Sequence, residues 1–207
     1  NNGTVFQNQT FLNYHIKRKF KNHSLIIKKN NIIIALLPAV VVNKNNKINL
    51  FSHPGASYGG LIYKEGISFE LINDIIIAVD QYCYSKRFHS IVLINQPNIY
   101  LKKYNEEEHY LLSFNNFVVD ERYITHVVDL RVKNNLINLL SKRKKRYINS
   151  KSFNDFSFKP SNNFDAFYSI LLKSKYTYKT KPTHSLQELK KIKKLFPLSC
   201  ELLLSYY

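Results

Sequence analysis

The ten residues SHPGASYGGL, Ser52 to Leu61, set an imidazole, a phenol and two hydroxyls among three of the chain's five glycines. His53 titrates near neutrality and is the residue type of a general base. Tyr58 can donate a proton or offer its ring to a sugar face. Ser52 and Ser57 supply short hydroxyl partners. Gly55, Gly59 and Gly60 allow positive φ or a close approach of backbone to a ligand. Together these types suit proton transfer on a small polar molecule held against main chain. The loop lacks GxxxxGK[ST] and GxGxxG spacing, so it is not a phosphate or dinucleotide loop. The chain has no GxSxG elbow and no cysteine with a clear histidine partner, which argues against an acyl-enzyme hydrolase.

A second feature is the run SKRKKRY, Ser141 to Tyr147, with five successive positive charges from Lys142 to Arg146. On a helix, Arg143 and Arg146 stand three apart on one face. They suit the pyrophosphate of a coenzyme or nucleotide-sugar. The same run suits nucleic-acid phosphates, tRNA included, an anionic lipid surface, or a solvated helix end matched to the dipole. Tyr168, Tyr176 and Tyr178 flank Lys173, Lys175 and Lys179, the mixture of charge and aromatics that RNA readers use. His184 stands where it could line a cleft. Glu106, Glu107 and Glu108 read as a solvated first helical turn that suits the helix dipole.

Charge divides the chain. Residues 1–130 carry 14 basic and 10 acidic side chains, residues 131–207 carry 17 and 4, and the whole is +17. A basic second part implies a polyanionic or phosphorylated partner. At 207 residues and 44% apolar the chain can bury a sizeable core. Cys83 and Cys200 lie far apart in apolar settings without Cys or His at ligand spacing. Reduced thiols in the cytoplasm are expected, and no metal site. No 18-residue apolar run exists, so no membrane span is expected. The chain contains no Met, begins NNGTVFQ and ends on the apolar CELLLSYY. Both ends read as cut from a longer protein.

The elements that must position these residues follow from periodicity. HSLIIKKNNIIIALLPAVVV predicts two strands about a Lys-Lys-Asn-Asn turn. KINLFS predicts a third strand running into the glycine loop. Leu71, Ile72, Ile75, Ile76 and Val79 have helical spacing. SIVLINQP predicts a buried strand, NEEEHYLLSFNNF a short helix, and THVVDLR a strand. NNLINLLSKRKKRYINS predicts one helix, basic in its second half, and SFKPS a break after it. FDAFYSILLKSKY predicts an amphipathic helix. Ser185 with Glu188 marks the capping box of another. The chain closes on a strand. This alternation predicts an α/β fold with a mixed sheet and a domain boundary near residue 150.

Five segments stand in one order: GTVFQNQTFLNYH from Gly3 to His15, SLIIKKNNIIIALLPA from Ser24 to Ala39, SHPGASYGGL, PNIY from Pro97 to Tyr100, and KPTHSLQEL…LFP from Lys181 to Pro197. Together they resemble the GNAT-type acyltransferases related to the Fem peptidoglycan aminoacyltransferases, the FemABX-like group. The resemblance implies a mixed-sheet GNAT-like lobe at 1–150 and the beginning of a second, truncated lobe at 151–207. It implies transfer of an acyl or aminoacyl group to an amine, on a sugar or cell-envelope precursor. The donor would be acyl-CoA, such as acetyl-CoA, or aminoacyl-tRNA. On this reading His53 and Tyr58 are catalytic. Ser52, Gly55, Ser57, Gly59, Gly60, Arg143, Arg146 and His184 bind substrate. The competing expectation is a non-catalytic basic module that binds RNA or DNA.

Overall fold

The computed structural model describes residues 2–15, 20–101, 104–128, 136–150, 153 and 155–207. The chain divides into two compact units, Asn1–Asp120 and Glu121–Tyr207. The first holds 13 basic and 8 acidic residues, the second 18 and 6. The division falls ahead of the composition break near residue 150, so the basic run belongs wholly to the second unit.

The first unit opens with a short helical passage, a 3-10 turn at Val5–Gln7 and α1 at Gln9–Leu12. Strands β2 (Leu25–Lys29) and β3 (Ile32–Leu37) then form the expected hairpin. Asn30 and Asn31 turn it with φ of 49° and 64°. A two-residue turn of this hand needs positive φ at both positions, and Asn tolerates it. Pro38 and Ala39 separate β3 from β4 (Val40–Lys44). The sequence suggests a single strand through this proline. Proline lacks the donor that a continuous ladder needs, and the chain switches sheets there. The β2 and β3 hairpin continues to β6 (Ile62–Tyr63), giving the order β2-β3-β6. Strand β4 instead joins β1 (Lys21–Asn22), β5 (Lys47–Ser52) and β7 (Ser90–Leu93), in the order β1-β4-β5-β7.

Strands β5 and β7 are parallel, with Leu50 opposite Ile91 and Ser52 opposite Leu93. Parallel neighbours need a crossover. It contains helix α2 (Phe69–Ser85), which Ser68 caps by accepting from the Leu71 amide. Ile72, Ile75, Ile76, Val79 and Cys83 form the buried stripe of α2. They pack with Leu37, Leu50, Leu61, Leu111 and others into one core. Burying a side chain such as Ile75, fully enclosed here, contributes about 1.5–3 kcal/mol. Helix α3 (Glu107–Phe114) supplies Leu111 and Leu112 to the same core.

In the second unit the expected strand THVVDLR is not found over Thr125–Val128, which is irregular; residues 129–131 lie outside the described residues. The expected single basic helix is two elements. A 3-10 turn spans Leu136–Leu139 and α4 spans Lys142–Ile148. Ser141 starts α4 by accepting from the Lys144 amide, and a cap residue stands at a helix boundary rather than inside it. SFKPS, expected as a break, is strand β8 (Ser157–Ser161), antiparallel to β9 (Leu202–Tyr206) with Pro160 opposite Leu203. Proline is tolerated because this sheet has two strands and therefore two edges. Helices α5 (Phe164–Thr177) and α6 (Leu186–Leu195) complete the unit. Its core is small: Phe164, Leu202 and Leu204, with partly buried neighbours.

The chain is thus α/β, with mixed sheets and helices. Among the described residues no helix is long and apolar enough to cross a membrane. Cys83 is buried, Cys200 is half-buried, and both are free thiols. Burial, with Asp80 nearby, pushes the Cys83 thiol up to about 11.

Candidate functional site

The glycine loop leaves the carboxyl end of β5 beside the end of β7, the place where parallel strands open a crevice. Main-chain bonds tie it to that strand end. The Ile94 amide donates to the Ser52 carbonyl at 3.0 Å, and the Gly59 amide donates to the Ile94 carbonyl at 2.8 Å. The Ser52 hydroxyl, fully buried, accepts from the Gly60 amide at 2.9 Å. The peptide between Ser52 and His53 is cis. A Cβ on Gly59 would lie 2.7 Å from the Ser52 carbonyl carbon, the Ser52 hydroxyl and the His53 amide. Gly59 is therefore required by close approach, whereas Gly55 and Gly60 are required by positive φ, 85° and 81°.

Three of the five ordered segments meet at this loop. Gln7, buried, donates its amide to the Gly59 carbonyl at 2.7 Å. Its carbonyl in turn accepts from the Thr4 amide at 2.9 Å. The Tyr58 ring packs edge-on to Phe6 at 5.0 Å and stacks with Tyr100 at 5.9 Å. Tyr58 is buried by these neighbours, and the protein's own rings use its aromatic surface. Ser57 is exposed.

The loop separates two small hollows. One is lined by His53, His15, Phe20 and Asn13 among others. His53 is buried, and its Nδ1 lies 2.9 Å from the Pro54 carbonyl. A carbonyl only accepts, so Nδ1 carries the proton and Nε2 keeps its lone pair. Burial holds the imidazole below its ordinary 6.5. The bond to Pro54 opposes this, and the neighbouring His15 adds to it. His53 is therefore neutral at physiological pH.

The other hollow brings Gly59 and Gly60 together with Tyr63, Asn95, Gln96 and Glu108. Glu108 is half-buried and accepts from the Tyr63 hydroxyl at 3.0 Å. Loss of solvent pushes its carboxyl up to about 7, with the Tyr63 bond pulling the other way. Burial first, then Glu108, raises the Tyr63 phenol above its usual range. Gln96 is only 9% exposed, and neither its amide nitrogen nor its amide oxygen has a hydrogen-bond partner among the described residues. The Asn95 side-chain oxygen is likewise buried without one. Among the described residues no lysine or arginine lines this hollow.

The Glu106–Glu108 reading changes here. Glu106 and Glu107 are exposed and bonded locally, Glu106 to Asn98 and Glu107 to Asn105. Glu108 instead turns inward. A signal was present in the sequence: Glu108 precedes Leu111 by three and Leu112 by four, which puts it over the buried face of α3. Gln96 and Asn95 carry no such signal, because they lie in an irregular segment after β7.

The remaining candidates lie in the second unit. Arg143 and Arg146 are exposed, one turn apart on α4. Because α4 starts at Lys142, three positive charges occupy its first turn, where they oppose the helix dipole rather than suit it. His184 is half-buried directly before the capping Ser185, whose hydroxyl accepts from the Glu188 amide. Among the described residues no group of three His, Cys, Asp or Glu side chains is placed to hold a metal ion.

No family model matches the chain, and no curated protein matches its sequence at a significant level. Among solved structures it is similar to TTHA1254 from Thermus thermophilus, at 14% identity and a TM-score of 0.35, over 52% of this chain and 71% of that one. A mutant form of the same protein aligns at 14% identity and a TM-score of 0.36, over 52% and 72%.

Proposed function

We propose that the chain takes part in N-acyl transfer, and that the hollow beside Gly59 and Gly60 receives the amine acceptor. The supporting observation is Glu108. It is a carboxyl near pKa 7, in a hollow without lysine or arginine among the described residues, at the mouth of a parallel strand pair. A general base works best when its pKa lies near the working pH. In this reading Glu108 takes a proton from the acceptor ammonium, and the neutral nitrogen attacks the donor's acyl carbonyl. The C–N bond forms, the C–S bond of a thioester or the C–O bond of an aminoacyl ester breaks, and the leaving sulfur or oxygen takes up a proton. The Tyr63 hydroxyl donates to the Glu108 carboxylate and holds it in place before it takes the proton. The catalytic role thus moves from His53 to Glu108. Neutral His53 braces the loop through Pro54, and Tyr58 braces it through Phe6 and Tyr100.

The donor, acyl-CoA or aminoacyl-tRNA, carries phosphates. Arg143 and Arg146 suit them, and three unfavourable charges in the first turn of α4 would gain from an anion. The acceptor class is an amine or amino-sugar, and a cytoplasmic setting fits such donors.

The test is thiol release from acetyl-CoA, and transfer from alanyl-tRNA, over a panel of primary amines. Glu108→Gln keeps the shape and removes the base. It is expected to lower kcat by about 10²–10⁴ with no loss of thermal stability. Transfer that is equally fast in the variant, or absent with both donors, overturns the reading.

A further inference from the structure

Gln96 is the least explained group in the first unit. It lines the hollow beside Gly59 and Gly60, is nine-tenths buried, and leaves both ends of its carboxamide without a partner among the described residues. The buried oxygen of Asn95 is unmet in the same hollow. Buried polar groups are nearly always satisfied, and an exception calls for an explanation. Here two acceptors and one NH₂ donor are kept in place by a rigid strand end. Asn95 follows the Ile94 carbonyl that holds Gly59, and Pro97 follows Gln96 and fixes its own φ. Glu108 lines the same hollow, already engaged by Tyr63.

The chemistry of the unmet groups selects a complement. A carboxamide with donor and acceptor both open is matched by a second amide, which returns a carbonyl and an N–H together. A phosphate or carboxylate offers acceptors only, would leave both side-chain oxygens unmet, and would meet Glu108. A hydroxyl is a weaker match, since it cannot span both ends of the Gln96 group.

We infer that this hollow is a recognition site for a small amide-bearing ligand, held by Gln96 and Asn95. The inference rests on the reading above only for calling that ligand the acyl acceptor; the site stands on its unpaired groups. Two sources share the chemistry, an N-acylated amino sugar and a peptide.

The experiment uses the full chain and follows the Gln96 side-chain NH₂ resonances by NMR, assigned with Gln96→Leu. The probes are N-acetylglucosamine, N-acetyl-alanine methylamide, and glucose as the control without an amide. A saturable shift with either amide probe and none with glucose supports the site, and the stronger probe identifies the source. No shift with either, or an equal shift with glucose, overturns it. Thermal unfolding gives an independent arm. Gln96→Leu removes two unmet groups at similar volume, so its Tm is expected to rise while probe binding is lost. A lower Tm would mean that the amide is already partnered, and would sink the inference. Binding that persists without any acyl transfer would retain the amide site and defeat the transfer reading alone.

Discussion

The two units of this chain solve folding differently. The first buries a continuous core between α2, α3 and its sheets. The second has, among its described residues, three buried apolar side chains and a two-stranded sheet. It relies more on local devices, such as the Ser141, Asn163 and Ser185 caps. The consequence is functional. A tightly packed unit can keep a Glu carboxyl out of water and leave a Gln amide unpaired, because burial elsewhere offsets the cost. The second unit buries Glu188 within its own capping box with Ser185, and it presents Arg143 and Arg146 to solvent. The proposed function accordingly assigns the small-molecule site to the first unit and the phosphate contacts to the second.

That contrast breaks most directly at the cores. Ile75→Ala is expected to cost about 4 kcal/mol, near the upper part of the range for such truncations, because its surroundings are closed and cannot collapse. Leu204→Ala is expected to cost about 2 kcal/mol, because its small cluster can relax toward solvent. Urea unfolding followed by residue-resolved hydrogen exchange measures both. Equal costs would mean that the second unit is packed as firmly as the first.

Gly59→Ala sharpens the contrast at the loop. The new methyl meets the Ser52–His53 peptide and the buried Ser52 hydroxyl, each at 2.7 Å, and main chain cannot step aside as a flexible side chain can. A loss of about 3 kcal/mol is expected, at the top of the overpacking range. Thermal unfolding reads it, and a change under about 1 kcal/mol would show that the loop is looser than its hydrogen bonds imply.

The smallest effect is in pH. The folded-state pKa of Glu108 is raised, from 4.5 to about 7. Between those values the folded state binds more protons than the unfolded one, so stability falls as pH rises through that window and levels off above it. His53 acts with opposite sign. Its folded pKa is lowered, so its contribution is lost on acidification and stability rises with pH up to 6.5. Chemical denaturation from pH 4.5 to 8 in the parent and in Glu108→Gln separates them. The variant is expected to lose the downward slope and keep the His53 rise; an unchanged slope would place Glu108 in solvent.

Much of the fold was legible locally. Asn30 and Asn31 announce their hairpin because few residues other than glycine accept positive φ. The stripe Ile72, Ile75, Ile76 and Val79 announces α2 by period. Ser185 and Glu188 announce α6 because a capping box is made of two bonds within four residues. SFKPS failed as a strand cue because Pro160 reads as a breaker unless the sheet is known to have an edge there. KRKKR was displaced within its helix because one hydroxyl, Ser141, decides where α4 begins.

The candidate site was legible only by half. The glycine loop stands out in composition, and its position after a strand marks it. The sequence by itself determined the Asn30–Asn31 turn, the α2 stripe, the Ser185 cap and the uneven charge, since the turn, the stripe and the cap each depend on bonds or periods within a few residues and the charge on composition alone. Only the tertiary structure decided that Gln7 and Tyr100 close on the loop, that Tyr63 meets Glu108, and that Gln96 is sealed without a partner among the described residues. Those outcomes depend on contacts between segments far apart in the chain, where desolvation is set by the packing of α3 on α2 and by the parallel alignment of β5 with β7.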